Sequence, residues 1–226
     1  MKIAVLGTGM VGRALAGRLV ALGHDVAMGT RDPAATLART APDGMGNPPL
    51  SEWLAGQDGV RLATFADAAA GAELLVLATS GAAALGVLDA VGPELLRDRI
   101  VLDVTNPLDH ASGMPPRLFV SNDDSLGEQL QRAHPEARVV KSLNTMNAFL
   151  MIDPRQLADG DFTTFVSGDD AAAKAVVSDL LAAMGHRDVV DLGDISTARG
   201  PEMTLPLWLR LWGALGGPMF NLKVVR

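Results

Sequence analysis

The chain has 226 residues, 19 basic against 26 acidic side chains for a net charge of -7, and neither cysteine nor tyrosine. The absent thiols exclude disulfide frameworks, thiolate nucleophiles and zinc-thiolate sites, and an acidic balance without a dense Lys/Arg block speaks against nucleic acid or an anionic membrane as the main partner. With 48% hydrophobic and 20% charged residues the chain can bury a full core, which at this length suits one α/β domain or one with a small appendage.

In chain order, strand-type runs fall at Lys2–Leu6, Asp25–Met28, Arg61–Phe65, Leu74–Ala78, Ile100–Val104, Arg138–Leu143, Thr163–Val166 and Val189–Leu192. Several are continuously apolar rather than alternating, as a parallel sheet covered on both faces requires. Between the first two, Val11, Ala14, Leu15, Leu19 and Leu22 recur at three- and four-residue steps and Gly23 follows as a stop. This predicts an amphipathic helix over 10–22 and a β-α-β unit. Thr40 to Gly59, with Asp43-Gly44, Gly46-Asn47 and Pro48-Pro49, is the longest turn-rich stretch and holds one short helix around Ser51–Leu54. A loop of that length is functional or variable. Asp109 to Pro116 forms a second loop, and further helices are predicted at Ser125–Ala133, within Ala148–Ala158 and at Asp170–Met184.

The most apolar stretch, Leu74 to Leu88, is broken by Thr79, Ser80 and Gly81 and falls short of the ~20 residues of a membrane helix. The amino end shows no cleavage pattern, so a cytoplasmic protein with no membrane partner is expected. Near the carboxyl end, Leu205, Leu207, Trp208, Leu211, Trp212 and Leu215 make an apolar helical face. It suits burial within one subunit or contact in a homodimer, and the enrichment of aromatics at interfaces favours the dimer. The expected architecture is a Rossmann-type doubly wound parallel sheet over residues 1–147, followed by a small C-terminal α/β segment over 148–226 that supplies the dimer contact.

Gly7-Thr8-Gly9-Met10-Val11-Gly12 fits G-x-G-x-x-G between the first strand and the first helix. In that context Gly7 permits the tight turn, Gly9 admits a pyrophosphate to the backbone, and Gly12 lets helix and strand pack closely. The helix start adds free N–H groups and partial positive charge. NAD sites usually place an acid at the end of the second strand to bond the ribose 2′-OH. Here Gly29-Thr30-Arg31 stands there, and a hydroxyl with a guanidinium suits a 2′-phosphate, hence NADP. Asp32 is the rival, and it would favour NAD if it sat at the strand tip. Arg39 is a further cation within reach, although a solvated arginine is its simpler reading.

Ligands of open parallel sheets lie beyond the carboxyl ends of the strands. Those ends carry Thr79-Ser80, Asn106-Pro107 and, on the sixth strand, Lys141 with Asn144, Thr145 and Met146. Each has a plain structural reading as a cap, a turn or a surface residue, but together they line a site. The four histidines lie at helix ends and loops, and neither a Tyr-Lys or His-Asp proton-transfer pair nor a metal-ligand spacing is evident. No side chain is assigned a catalytic role and no metal is expected.

These features together resemble the NADPH:coenzyme F420 oxidoreductase family, whose fold is similar to the cytosolic reductase domain of transmembrane metalloreductases. The matching residues are Lys2–Gly12, Gly29-Thr30-Arg31, Ala78-Thr79, Val139-Val140-Lys141, Val166-Ser167-Gly168-Asp169-Asp170, and Asp191-Leu192-Gly193 with Ala198-Arg199. The resemblance implies a dimeric Rossmann-type protein that transfers hydride directly between NADP and a second ring, coenzyme F420 or a flavin. The Lys-x-x-Asn-Thr segment lacks a histidine found at that place in F420-linked members and is closer to the flavin-using domain. By the same resemblance Gly7 to Gly12, Thr30 and Arg31 hold NADP, and Thr79, Ser80, Asn106 and Pro107 follow its ribose and nicotinamide. Lys141, Asn144, Thr145 and Met146 then line the acceptor side. Two other readings stay open: a non-catalytic NADP-binding module with a protein partner at Trp208 and Trp212, and an enzyme reducing a small carbonyl, which lacks an evident proton donor.

Overall fold

The structure, a computed structural model, describes residues 1–43, 46–111 and 113–226. Its strands are β1 (Lys2–Leu6), β2 (Asp25–Thr30), β3 (Val60–Thr64), β4 (Leu74–Leu77), β5 (Ile100–Asp103), β6 (Leu108–Asp109), β7 (Arg117–Leu118), β8 (Arg138–Ser142), β9 (Thr163–Ser167) and β10 (Asp188–Asp191). The helices are α1 (Met10–Ala21), α2 (Pro33–Leu37), α3 (Leu50–Ala55), α4 (Phe65–Ala69), α5 (Ala84–Val91), α6 (Pro93–Leu96), α7 (Leu126–Ala133), α8 (Ala148–Ile152), α9 (Ala171–Met184), α10 (Arg199–Met203) and α11 (Leu205–Leu215). Eight strands form one sheet in the order β10-β9-β8-β5-β4-β1-β2-β3.

The six strands from β3 to β8 are parallel, giving the doubly wound half-sheets expected of a Rossmann-type fold. One pairing departs from the parallel arrangement. β9 runs antiparallel to β8, with Lys141 opposite Ser167 and Ser142 opposite Val166, so the sheet is mixed. The segment after residue 147 adds β9 and β10 to the same sheet. The Asp109–Pro116 loop is the tip of a small ribbon in which β6 pairs with β7, Asp109 facing Arg117; its Ser112 lies outside the described residues. The same holds for Gly44 of the Asp43-Gly44 turn.

Apolar clusters cover both faces of the sheet around its central strands. Ile3 and Val5 of β1 with Leu74 and Val76 of β4 face the side covered by α1, α8 and α9. Their neighbours Ala4, Leu6, Leu75 and Leu77 face the side covered by α4, α5 and α7. This two-residue alternation of faces, with apolar residues at every step, is why the strands read as unbroken hydrophobic runs. Each fully buried Leu or Val contributes about 1.5–3 kcal/mol. Helix ends follow local chemistry: Asp170 accepts from Ala173 N at 2.7 Å to start α9, and Gly185, left-handed at φ 111°, ends it. Among the described residues no helix is long and apolar enough to cross a membrane.

Candidate nucleotide-binding site

The turn between β1 and α1 is shaped by what its glycines touch. Gly7 has φ +127°, and a Cβ there would lie 2.4 Å from the Ala78 carbonyl oxygen; one on Gly12 would lie 2.2 Å from the Gly7 oxygen. These two glycines allow β1, β4 and α1 to close on one another. Gly9 differs, because a Cβ there would meet nothing within 4 Å. It is exposed and caps α1 without a side-chain hydrogen bond, and the first turn of that helix holds no acid. The open side of Gly9 thus faces the free N–H groups of a helix start, the arrangement that accepts a phosphate. The residues present fit a dinucleotide pyrophosphate.

Beside this turn lies a cavity of about 610 Å³, bordered by Thr8, Gly9, Arg13, Thr36, Arg39 and Pro48 among others. Arg13 forms its near wall: Nε donates to the Thr8 carbonyl at 2.8 Å and Nη1 to the Pro48 carbonyl at 2.5 Å. The glycine turn is thereby tied to the start of α3. Sequence reasoning missed Arg13, since nothing local marks a partner in the long loop. Arg39 lines the same cavity.

At the end of β2, Asp32 is occupied. Its Oδ1 accepts from Ala35 N at 2.9 Å as the N-cap of α2, so the rival reading of Asp32 as a ribose acceptor loses its support. Arg31 is exposed and has no ion-pair partner among the described residues. Thr30 departs from expectation. Thr36 Oγ1 donates to the Asp32 carbonyl at 2.7 Å, which leaves Thr30 Oγ1 as the donor in its 2.9 Å bond to Thr36. The Thr30 proton therefore points inward, and Arg31 is the group left facing solvent.

The ends of β4, β5 and β8 converge. Ser80 stands at the N-cap position of the 3-10 turn Gly81–Ala83 but makes no capping bond, so its exposed hydroxyl is available; Thr79 is half-buried beside it. A Cβ on Gly81 would lie 2.1 Å from the Asn106 carbonyl oxygen. Gly81 therefore lets the β4 and β5 ends touch, a role visible in sequence only as a glycine after Thr79-Ser80. Asn106 Nδ2 donates to the Asn144 carbonyl at 2.9 Å, and Asn144 Nδ2 returns to Asn106 Oδ1 at 3.0 Å. Pro107 is buried and its carbonyl accepts from Phe119 N, which makes it a buttress of the β6–β7 ribbon and not a ligand surface.

The acceptor-side residues are more enclosed than expected. Lys141 is 1% exposed, with its Nζ 2.9 Å from Asp103 Oδ2 and 2.8 Å from Glu202 Oε1; it cannot line a ligand surface. Met146, 5% exposed, belongs to the core beneath α8, and Thr145 is buried beside Asn144. Sequence reasoning took Lys141 for a surface or ligand lysine because its acidic partners lie far along the chain. Glu202 was missed, although an acid within an otherwise apolar carboxyl segment was a usable signal.

Comparison with known proteins decides the family. A crystal structure from Arthrobacter sp. FB24, carrying the provisional name F420-dependent NADP-reductase, is 61% identical, covers both chains in full and superposes with a TM-score of 0.96. The chain belongs to the F420-dependent NADP oxidoreductase family. The family description "NADP oxidoreductase coenzyme F420-dependent" matches residues 2–107, the stretch from β1 through the Asn106-Pro107 shelf. The F420-dependent NADP reductase of Methanothermobacter marburgensis is 29% identical over 219 residues, covering 93% of this chain and 92% of that protein. Metalloreductase STEAP3 of Rattus norvegicus is 28% identical over 212 residues, 92% of this chain but 38% of the rat protein; the chain spans little more than a third of that relative. As a member of the F420-dependent NADP oxidoreductase family, the protein is an NADP-dependent oxidoreductase, and the glycine cradle and free Arg31 are the parts of this chain that fit that assignment.

Proposed function

We propose that this enzyme exchanges a hydride between NADP(H) and the central ring of coenzyme F420, with Gly7 to Gly12 and Arg31 holding the nucleotide and Thr79, Ser80 and Asn106 flanking its nicotinamide end. The observation that carries the reading is the open Gly9 cradle leading to strand ends furnished, among the described residues, with hydroxyls and amides rather than a histidine or tyrosine. His186 is spent between Thr164 Oγ1 at 2.8 Å and the Met151 carbonyl at 3.0 Å, and His24 lies beside the amino terminus. NADP(H), when bound, supplies or takes up the hydride. The chain's task is then orientation: the reciprocal Asn106–Asn144 amides fix two strand ends, and the mostly buried 143–146 segment forms a firm floor. Such positioning suffices when the bond chemistry belongs to the two rings. We also read the exposed Leu207 and Leu215 of α11, 54% and 64% accessible, as the contact of a homodimer.

Mixing the protein with NADPH and F420, and in parallel with FMN or FAD, while following ring absorbance tests the reading. Oxidation of NADPH matched by reduction of F420 is the expected result. Turnover with flavin alone would move the acceptor assignment to a flavin. Tight NADPH binding without turnover on any ring would instead make the protein a binding module.

A further inference from the structure

Beneath the carboxyl ends of β5 and β8 lies a closed ionic network. Lys141 Nζ donates to Asp103 Oδ2 at 2.9 Å, to Glu202 Oε1 at 2.8 Å and to the Thr105 carbonyl at 2.7 Å. Asp103 Oδ1 accepts from Thr105 N at 2.9 Å and from Thr105 Oγ1 at 2.6 Å. Glu202 accepts from Leu126 N at 2.8 Å and Gly127 N at 3.0 Å, at the start of α7. The side chains of Lys141, Asp103 and Glu202 are 0%, 0% and 2% exposed.

The charge state follows from the bonding. Backbone N–H groups, the Thr105 hydroxyl and the Lys141 ammonium surround the four carboxylate oxygens, the pattern that suits two carboxylates, and the three N–H bonds of the ammonium each meet an acceptor. Burial by itself would drive the Lys141 proton off, but the attraction of Asp103 and Glu202 outweighs it and holds its pKa above the ordinary lysine value. One cation against two anions leaves one buried negative charge. The α7 start offsets only part of it.

Stability does not explain this arrangement. Burying three ions is costly, and apolar residues of similar volume serve a core as well or better. The location suggests a use. Asp103 ends β5, and the Thr105-Asn106 shelf hangs from the network by three hydrogen bonds. Asn106 stands three residues past Asp103, so at most roughly 10 Å from it along the chain, and a nicotinamide ring beside Asn106 would lie at about that range. That ring is cationic when oxidised and neutral when reduced.

We propose that the Asp103–Lys141–Glu202 network is a buried negative charge that favours the oxidised, cationic nicotinamide over the neutral reduced ring, and so biases the bound couple toward giving up hydride. The inference rests on the nucleotide placement proposed above. The hydride leaves NADPH with both electrons of its C–H bond and joins the acceptor ring; the network changes neither protons nor electrons and acts through its field alone. Asp103 and Glu202 are therefore positioning residues. One unit charge across about 10 Å at an effective dielectric near 20 changes an equilibrium by about tenfold, and the helix start reduces this to about fivefold.

The test is the ratio Kd(NADP+)/Kd(NADPH) by calorimetric titration, because the two nucleotides share every group except the ring charge. In the wild-type protein the ratio is expected below one. In Glu202→Gln and in Asp103→Asn, each removing one full unit of buried charge while the helix start stays the same, it is expected to rise about tenfold. A purely structural role would weaken both nucleotides alike, so an unchanged ratio in either folded variant overturns the proposal. If neither variant folds, a wild-type ratio at or above one overturns it and a ratio below one supports it. Failure of the wild type to bind either nucleotide would remove the placement itself, a result distinct from an unshifted ratio.

Discussion

Asn106 and Asn144 hold each other: the amide of Asn106 donates to the backbone carbonyl of Asn144 at 2.9 Å, and the amide of Asn144 donates to Asn106 Oδ1 at 3.0 Å. This pair ties the end of β5 to the turn after β8, where the proposed function aligns the two rings. Asn106→Ala removes both bonds. We expect kcat to fall about 10- to 100-fold, the effect of roughly an ångström of misplacement, with KM for NADPH changed less than about threefold. Steady-state kinetics beside a melting curve would check this.

Arg31 is the cation left facing solvent at the end of β2, Asp32 being committed to capping α2. Losing a forked, charge-assisted contact to a 2′-phosphate costs about 1.5–3 kcal/mol. Arg31→Ala should raise the Kd for NADPH about 10- to 100-fold and leave that for NADH within about twofold. Equal weakening of both would remove Arg31 from the phosphate.

The glycines of the turn should separate folding from binding. Gly7→Ala places a methyl 2.4 Å from a backbone oxygen at φ +127° and should destabilise the fold by about 1–3 kcal/mol or more. Gly9→Ala meets nothing in the protein. Its stability should stay within about 0.5 kcal/mol of wild type, while NADPH affinity falls about tenfold, the loss of one charge-assisted bond. Melting and titration on the two variants read the contrast.

Acid should unfold the protein partly through Asp124. The hydrogen bond from Arg132 holds its carboxyl down at about 2, helped by Gln129 and the Ser125 backbone. A folded pKa below the unfolded value gives stability that is complete above the ordinary carboxylate range and lost as pH falls toward the folded pKa. Between about pH 5 and pH 2, Asp124→Asn should show a shallower fall in melting temperature than wild type; parallel curves would contradict the assignment.

Trp208 is buried within its own subunit, its ring 5.4 Å from Trp212 and 5.2 Å from Phe220. The helical face read from sequence is therefore split: Leu205 and Trp208 are buried, Leu211 and Trp212 half-buried, and Leu207 and Leu215 stand most exposed for a partner. Leu207→Glu should convert a dimer to a monomer in light scattering without loss of helix signal. A wild-type monomer at micromolar concentration would end the dimer reading.

The strands were legible because buried parallel runs are apolar at every position, and the turn because three glycines sat between a strand and a helix. β2 runs on through Gly29 and Thr30, which look like turn residues. Gly29 is needed inside the strand because a Cβ there would press on Leu6 and Phe65 at 2.9 and 3.1 Å. The reversal of β9 left no trace in sequence, since a buried apolar run reads the same in either direction. Lys141 was misplaced for a related reason: a lysine at a strand end looks solvated until its carboxylates arrive from other elements.

The reversal of β9 has a practical side. Because it runs against β8, Thr163 stands level with the carboxyl ends of the parallel strands, and the tail returns there through bonds from Thr163 N to the Leu222 carbonyl and from Val224 N to Thr163 Oγ1. Asn147, the cap of α8, donates to the Pro218 carbonyl at 2.6 Å along the same path. Met1 instead sits at the start of β1, on the opposite end of the sheet. An affinity tag or fluorophore appended after Arg226 would crowd the rim where the rings are expected to meet, whereas one placed before Met1 would stand clear of it.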